Sequence, residues 1–131
     1  MIIDEVHILP TDKTPEVFLN PDGNIKIKGR GVVVTLTEVP TQIMNWIDSY
    51  LISPAEITTV IIAFDYLNSY CTVVLISILK KISQVKQQSK KLIIKWYYED
   101  LEDDIFNQGE YISSTLYIPF EFIMTDNITN I

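Results

Sequence analysis

Apolar and polar residues alternate with two different periods along this chain, and the changes of period mark its elements. Residues 2–9 mix apolar and acidic side chains and suggest a first strand. The apolar run Glu16-Val17-Phe18-Leu19 leads into Asn20-Pro21-Asp22-Gly23-Asn24, dense in turn formers, and then into the strictly alternating Ile25-Lys26-Ile27-Lys28. Strand, turn and alternating strand predict a β-hairpin. After Gly29-Arg30-Gly31, the β-branched stretch Val32–Thr37 fits no single period. Beyond Pro40, the apolar positions Ile43, Trp46, Ile47, Tyr50 and Leu51 lie 0, 3, 4, 7 and 8 residues from the first, one face of a helix. Pro40 suits its first turn, where a missing N–H costs little, and Ser53-Pro54 ends it.

The second half changes period again. Ile57–Phe64 is nearly all apolar and β-branched, the pattern of a central strand buried on both faces. Asp65–Asn68 should turn the chain, and Ser69 should open a helix running to about Gln88. Leu92–Tyr97 predicts another strand. The acidic segment Glu99–Asp104 then leads to a short helix near Ile105–Glu110, and Tyr117–Ile123 to a last strand, placed at an edge by Pro119. Together these elements predict an α/β sandwich: a mixed β-sheet with an N-terminal β-hairpin and helices packed on one face.

Composition narrows what such a domain can do. With 131 residues, the chain 1–131 reads as a single domain, and its 47% hydrophobic content supplies a core. A formal charge of −7 argues against nucleic acid, because little here neutralises a polyanion. Cys71 is the only cysteine and His7 the only histidine, so Cys-based metal sites and choices among imidazoles are absent. The start, Met1-Ile2-Ile3-Asp4-Glu5, is acidic where a secretory signal would be basic. No apolar run approaches the ~18 residues of a membrane span, so no membrane insertion is expected and the location reads as cytoplasmic.

Candidate chemistry is sparse. Glu99, Asp100, Glu102, Asp103 and Asp104 resemble a divalent-metal cluster, but the segment lacks the glycine that a calcium loop needs for its sharp turn. Acidic residues also favour a helix N-terminus through the macrodipole, and that explanation suffices. His7 sits among apolar residues of a strand, a structural setting. Cys71 falls in an apolar helical run, where a small buried hydrophobe is the default, although a helix N-terminus can also activate a thiol. Six of the ten basic residues, Lys80, Lys81, Lys86, Lys90, Lys91 and Lys95, gather near a helix end, where cations suit the dipole. No glycine-rich phosphate loop or paired acid/base motif appears, so neither catalytic residues nor a cofactor are expected.

The helix from Ser69 is the informative segment. At ~100° per residue, Cys71, Leu75, Ile78, Leu79 and Ile82 share a core face. The opposite side should be polar, and its later part is: Lys80, Gln84, Gln87, Gln88. Its beginning is not. Val73 and Ile76 fall in a stripe with Ser69 and Lys80, at spacings of 4, 7 and 11 from Ser69, flanked by Tyr70 and Ser77. An outward apolar patch carrying a serine suggests a docking surface for a partner protein. Ser69 itself has two readings. It is an N-cap accepting a backbone N–H, or it is a phosphorylation site, where the dipole and free N–H groups tolerate a phosphate that repels a partner.

Several motifs now resemble a known family. Thr14-Pro15-Glu16-Val17, Pro21-Asp22-Gly23, Ile25-Lys26-Ile27-Lys28-Gly29-Arg30, Trp46-Ile47-Asp48-Ser49-Tyr50-Leu51, Tyr66-Leu67-Asn68-Ser69, Trp96-Tyr97-Tyr98-Glu99-Asp100 and Ile118-Pro119-Phe120 occur in this order. The ordered set resembles the SiaC family of regulatory phosphoproteins, from about Thr11 to Ile123. The resemblance implies a fold like that of STAS domains, the anti-sigma-factor antagonists, and a non-enzymatic role. It also implies a protein partner, in the best-known systems a diguanylate cyclase of cyclic-di-GMP signalling and biofilm formation. A serine/threonine kinase and a PP2C-type phosphatase would act as the switch, the unphosphorylated form being the binder. The family's acceptor lies in a Leu-Asn-Thr-Ser-Ser motif, matched here by Leu67-Asn68-Ser69-Tyr70-Cys71, which puts Ser69 at the acceptor position. Asn68, Ser69, Tyr70, Val73 and Ile76 are thus the expected partner-binding residues.

Two departures stand beside it. Tyr70 and Cys71 replace small hydroxyl residues, and Gly29-Arg30 is followed by Gly31-Val32-Val33-Val34-Thr35 where the family follows Gly-Arg with Ser-Tyr-Pro-Glu-Asn. The rival readings are a divalent-metal or small-ligand domain using residues 99–104, and a constitutive interaction subunit without a switch.

Overall fold

The computed structural model describes residues 3–32 and 38–131. The elements run β1 (Val6–Ile8), β2 (Glu16–Leu19), β3 (Asn24–Gly31), α1 (Glu38–Tyr50), β4 (Ile57–Leu67), α2 (Ser69–Ile82), β5 (Lys91–Glu99), α3 (Asp103–Leu116) and β6 (Glu121–Thr125). Short 3-10 turns follow α2 (Ser83–Gln88) and β6 (Ile128–Asn130). The six strands form one mixed sheet in the order β1-β2-β3-β4-β5-β6. β1, β2 and β3 pair antiparallel, and β3, β4, β5 and β6 pair parallel.

The expected architecture is present, and strand order explains its one-sidedness. Three successive β-α-β crossovers step the same way across the sheet, and right-handed connections then put all three helices on one face. α2 lies in the middle, touching both α1 and α3. Between helices and sheet sit Val17, Ile25, Ile27, Val60, Ile62, Ile94 and Trp96, all buried in one cluster with Ile43, Ile47, Leu75 and Leu79 of the helices. On α1, Ile43, Trp46, Ile47 and Tyr50 are buried as their spacing predicts. Tyr50 stacks on Trp46, and its hydroxyl reaches Thr58 Oγ1 at 2.7 Å, so its polar tip is satisfied inside the core.

The hairpin closes through Asn20–Gly23, with Phe18 opposite Lys26 as the alternation requires. The other boundaries shift from expectation. β1 is confined to Val6–Ile8. β4 continues through Asp65 and Tyr66 to Leu67, because Arg30 and Gly31 of β3 extend the ladder past a bulge. α2 ends at Ile82 and tightens into a 3-10 turn up to Gln88. α3 is longer than Ile105–Glu110 and runs through Gly109, where an added Cβ would lie 2.6 Å from the Trp96 ring. That glycine marks a close approach of helix to sheet, not a helix end. Tyr117 closes α3 in the left-handed region at φ 56°, so β6 starts only at Glu121, on the sheet edge with Pro119 before it. Within the ambiguous stretch Val32–Thr37, residues 33–37 lie outside the described residues.

Candidate partner-binding site

The C-terminal ends of β3 and β4 meet the start of α2, and Asn68 ties the three together. Its side chain accepts the Cys71 N–H at 2.9 Å and donates to the Val32 carbonyl at 2.7 Å. Its own N–H donates to the Gly31 carbonyl, and its carbonyl accepts from both the N–H and the hydroxyl of Thr72. Asn68 is therefore the N-cap of α2. The capping role weighed for Ser69 does not hold, because an asparagine one residue earlier already fills it.

Ser69 becomes the first helical residue, with an exposed side chain. No acidic residue lies in the first turn of α2, so the positive end of its dipole is not offset by side chains of that turn. Tyr70 is 41% exposed and Val73 64% exposed, and Ser77 continues the outward strip. Ile76 does not join it. Ile76 is half-buried and packs against the core, like Val74 and Cys71. A helix with neighbours on both sides keeps only a narrow open strip, whereas the expectation treated α2 as a surface helix with one covered face. The Lys81–Asp48 pair at 2.6 Å fixes its flank toward α1. Cys71 is half-buried, and burial pushes its thiol pKa up, the opposite of an activated thiol. Gly31 lies against this side chain, since a Cβ there would stand 3.1 Å from Cys71 Cβ.

Ser69 also borders a cleft of about 550 Å³ that no local pattern announced. One wall is Asp65–Ser69, from β4 and α2; the other carries Glu102, Asp104, Ile105, Gln108 and Tyr111, from α3 and its approach. Gln108 pins the walls together by donating to the Leu67 carbonyl at 2.7 Å. Arg30 stands at the cleft's edge, 3.8 Å from Asp65 and over the Tyr66 ring. Tyr66, Tyr111 and Leu101 are exposed, and Leu101 projects at 90% exposure from a left-handed backbone with φ 68°. A lone leucine within an acidic run was the one sequence signal available for this side of the surface.

The acidic segment divides differently from the cluster it resembles. Asp103 and Asp104 form the first turn of α3, while the Glu99 carboxylate turns away to accept the Ile128 N–H at 3.0 Å. Among the described residues no group of three or more His, Cys, Asp or Glu gathers in a way that could hold a metal ion. His7 on the edge strand β1 pairs with Glu16 at 2.8 Å and stacks on Phe18 of the neighbouring β2. No helix among the described residues is long and apolar enough to cross a membrane.

The sequence model for SiaC family regulatory phosphoproteins matches residues 8–125. The chain belongs to the SiaC family. It is accordingly a regulatory protein of a phosphoprotein family and not an enzyme. The fold agrees with that membership. Apo-SiaC from Pseudomonas aeruginosa superposes with a TM-score of 0.81 at 18% identity, over 92% of this chain and 99% of that one. The SiaC structure crystallised with the diguanylate cyclase SiaD, which it activates, gives the same figures. A further structure of SiaC from that organism covers 94% of this chain and 100% of its own, again at 0.81 and 18%. At this identity the likeness speaks for the fold alone. No curated protein sequence matches.

Proposed function

We propose that this chain is a single-domain cytoplasmic adaptor that binds a partner protein through the surface around Ser69 and is released by phosphorylation of that serine. The observation that carries the reading is the position of Ser69: an exposed hydroxyl on the first residue of a helix capped by its neighbour Asn68. Because the cap is elsewhere, a phosphate on Ser69 displaces no hydrogen bond of Asn68, and the N–H groups of the first turn and the dipole favour it. The same two added charges lie beside Tyr70 and Val73, where a partner must exclude water, and desolvating them there is costly. Fold and binding are thereby separable.

The family's name supplies the modification, and the SiaC–SiaD complex of the relative supplies the partner class, a diguanylate cyclase. A serine/threonine kinase and a PP2C-type phosphatase would set the state of Ser69. Tyr70 and Val73 are the contact residues of this reading. Asn68 and Ile76 serve it from behind, Asn68 by fixing the helix start and Ile76 by anchoring α2 to the core. The test is a pull-down with the diguanylate cyclase of the same host: Ser69→Ala retains it and Ser69→Asp loses it. Equal retention by both variants would remove the switch.

A further inference from the structure

The two faces of the sheet are closed by different means. Three helices cover one face, and both tryptophans, Trp46 and Trp96, lie buried there. The other face carries no helix. Its residues Ile61, Ile93, Tyr97 and Ile123 are only half-buried, and the segment after β6 lies across it. The turn Ile128–Asn130 packs against β3, β4 and β5. Ile128 is 3% exposed yet stands outside the main core cluster, so it seals a separate, smaller apolar layer.

We propose that residues 126–131 form a detachable strap that gates this helix-free face, lifting while the helix-side core stays packed. The strap is held by one buried side chain and by polar ties to side chains of the sheet. Lys26 Nζ donates to the Ile131 main-chain oxygen at 2.8 Å, Lys28 Nζ to the Thr129 carbonyl at 3.2 Å, and the Ile128 N–H to Glu99 Oε2 at 3.0 Å. Two of the three ties end on long, flexible lysines, and Thr129 and Asn130 are exposed. An element with so little buried surface opens below the free energy of global unfolding. It also lies beyond the residues 8–125 matched to the family, and the inference stands independently of the Ser69 switch.

The test uses the full chain with separate probes for each face. Hydrogen exchange of the native protein should show the amides of residues 128–131 opening without those of β4. Ile128→Asp should raise the fluorescence of the apolar dye ANS severalfold, while Trp46 and Trp96 emission and far-UV circular dichroism stay native. Glu99→Gln keeps the shape and weakens one tie, so strap amides should exchange about fivefold faster, with β4 unchanged. Two results would overturn the proposal. If tryptophan emission shifts together with ANS binding, or strap and β4 exchange in one event, the segment is integral to the core. If neither variant alters dye binding or exchange, the strap does not seal the face.

Discussion

Two helices begin at the same edge of the sheet, after β4 and after β5, and their first turns are built in opposite ways. α2 has a side-chain cap, Asn68, and no acidic residue in its first turn. α3 has no side-chain cap hydrogen bond, and instead places Asp103 and Asp104 in its first turn. Both arrangements answer the same unpaired N–H groups and the same positive dipole end. One does it with a neutral hydrogen bond and the other with resident charge. Only the first leaves its own turn free of resident carboxylates, the place an added phosphate would take, with Asp65, Glu102 and Asp104 lining the cleft alongside. The helix that already carries two carboxylates has no use for a third anion, and Ser69, the residue proposed as the switch, sits on the other.

The contrast can be broken at its strongest point first. Asn68→Ala removes the cap and the tie to Val32 together, and should cost about 2 kcal/mol in urea denaturation, whereas Glu102→Ala at the same position of α3 should change stability by less than about 0.5 kcal/mol. Next come the charges. Ser69→Asp should stabilise the fold by about 0.5 kcal/mol and Asp104→Asn destabilise it by a similar amount, both effects shrinking in high salt. A Ser69→Asp variant that melts lower than wild type would mean that the α2 terminus does not favour an added anion. The smallest effect concerns Cys71, whose half-buried thiol has its pKa pushed up by burial. From near pH 9 upward the unfolded chain gives up this proton before the folded one, so stability falls as pH rises. Cys71→Ala should flatten that alkaline slope, as followed by thermal melts between pH 8 and 10.

Much of this was legible in the sequence, and the reasons for the rest are physical. The hairpin could be read because its turn residues and its alternation are local, and the buried face of α2 because Leu75, Ile78, Leu79 and Ile82 repeat with the helical period. The end of β4 could not be read, since the strand runs past the bulge at Asp65 only because Tyr66 and Leu67 pair with Arg30 and Gly31 of β3, more than thirty residues earlier. The reason for Gly109 within α3 is the Trp96 ring beneath it, a contact no local pattern shows. Ile76 looked outward because a single helix cannot show that neighbours stand on both its sides. The cleft beside Ser69 joins residues about forty positions apart, and no window of sequence contains it. The helix start at Ser69 was legible, although the cap belongs to the residue before it.

The central claim is that one hydroxyl at the uncharged helix start controls binding without controlling the fold. It is tested most directly by preparing the chain stoichiometrically phosphorylated at Ser69 and measuring its affinity for the host's diguanylate cyclase beside the unmodified chain. The account predicts a native circular dichroism spectrum for both forms and binding at least about tenfold weaker for the phosphorylated one, a difference of about 1.4 kcal/mol. Equal affinity of the two folded forms would contradict it.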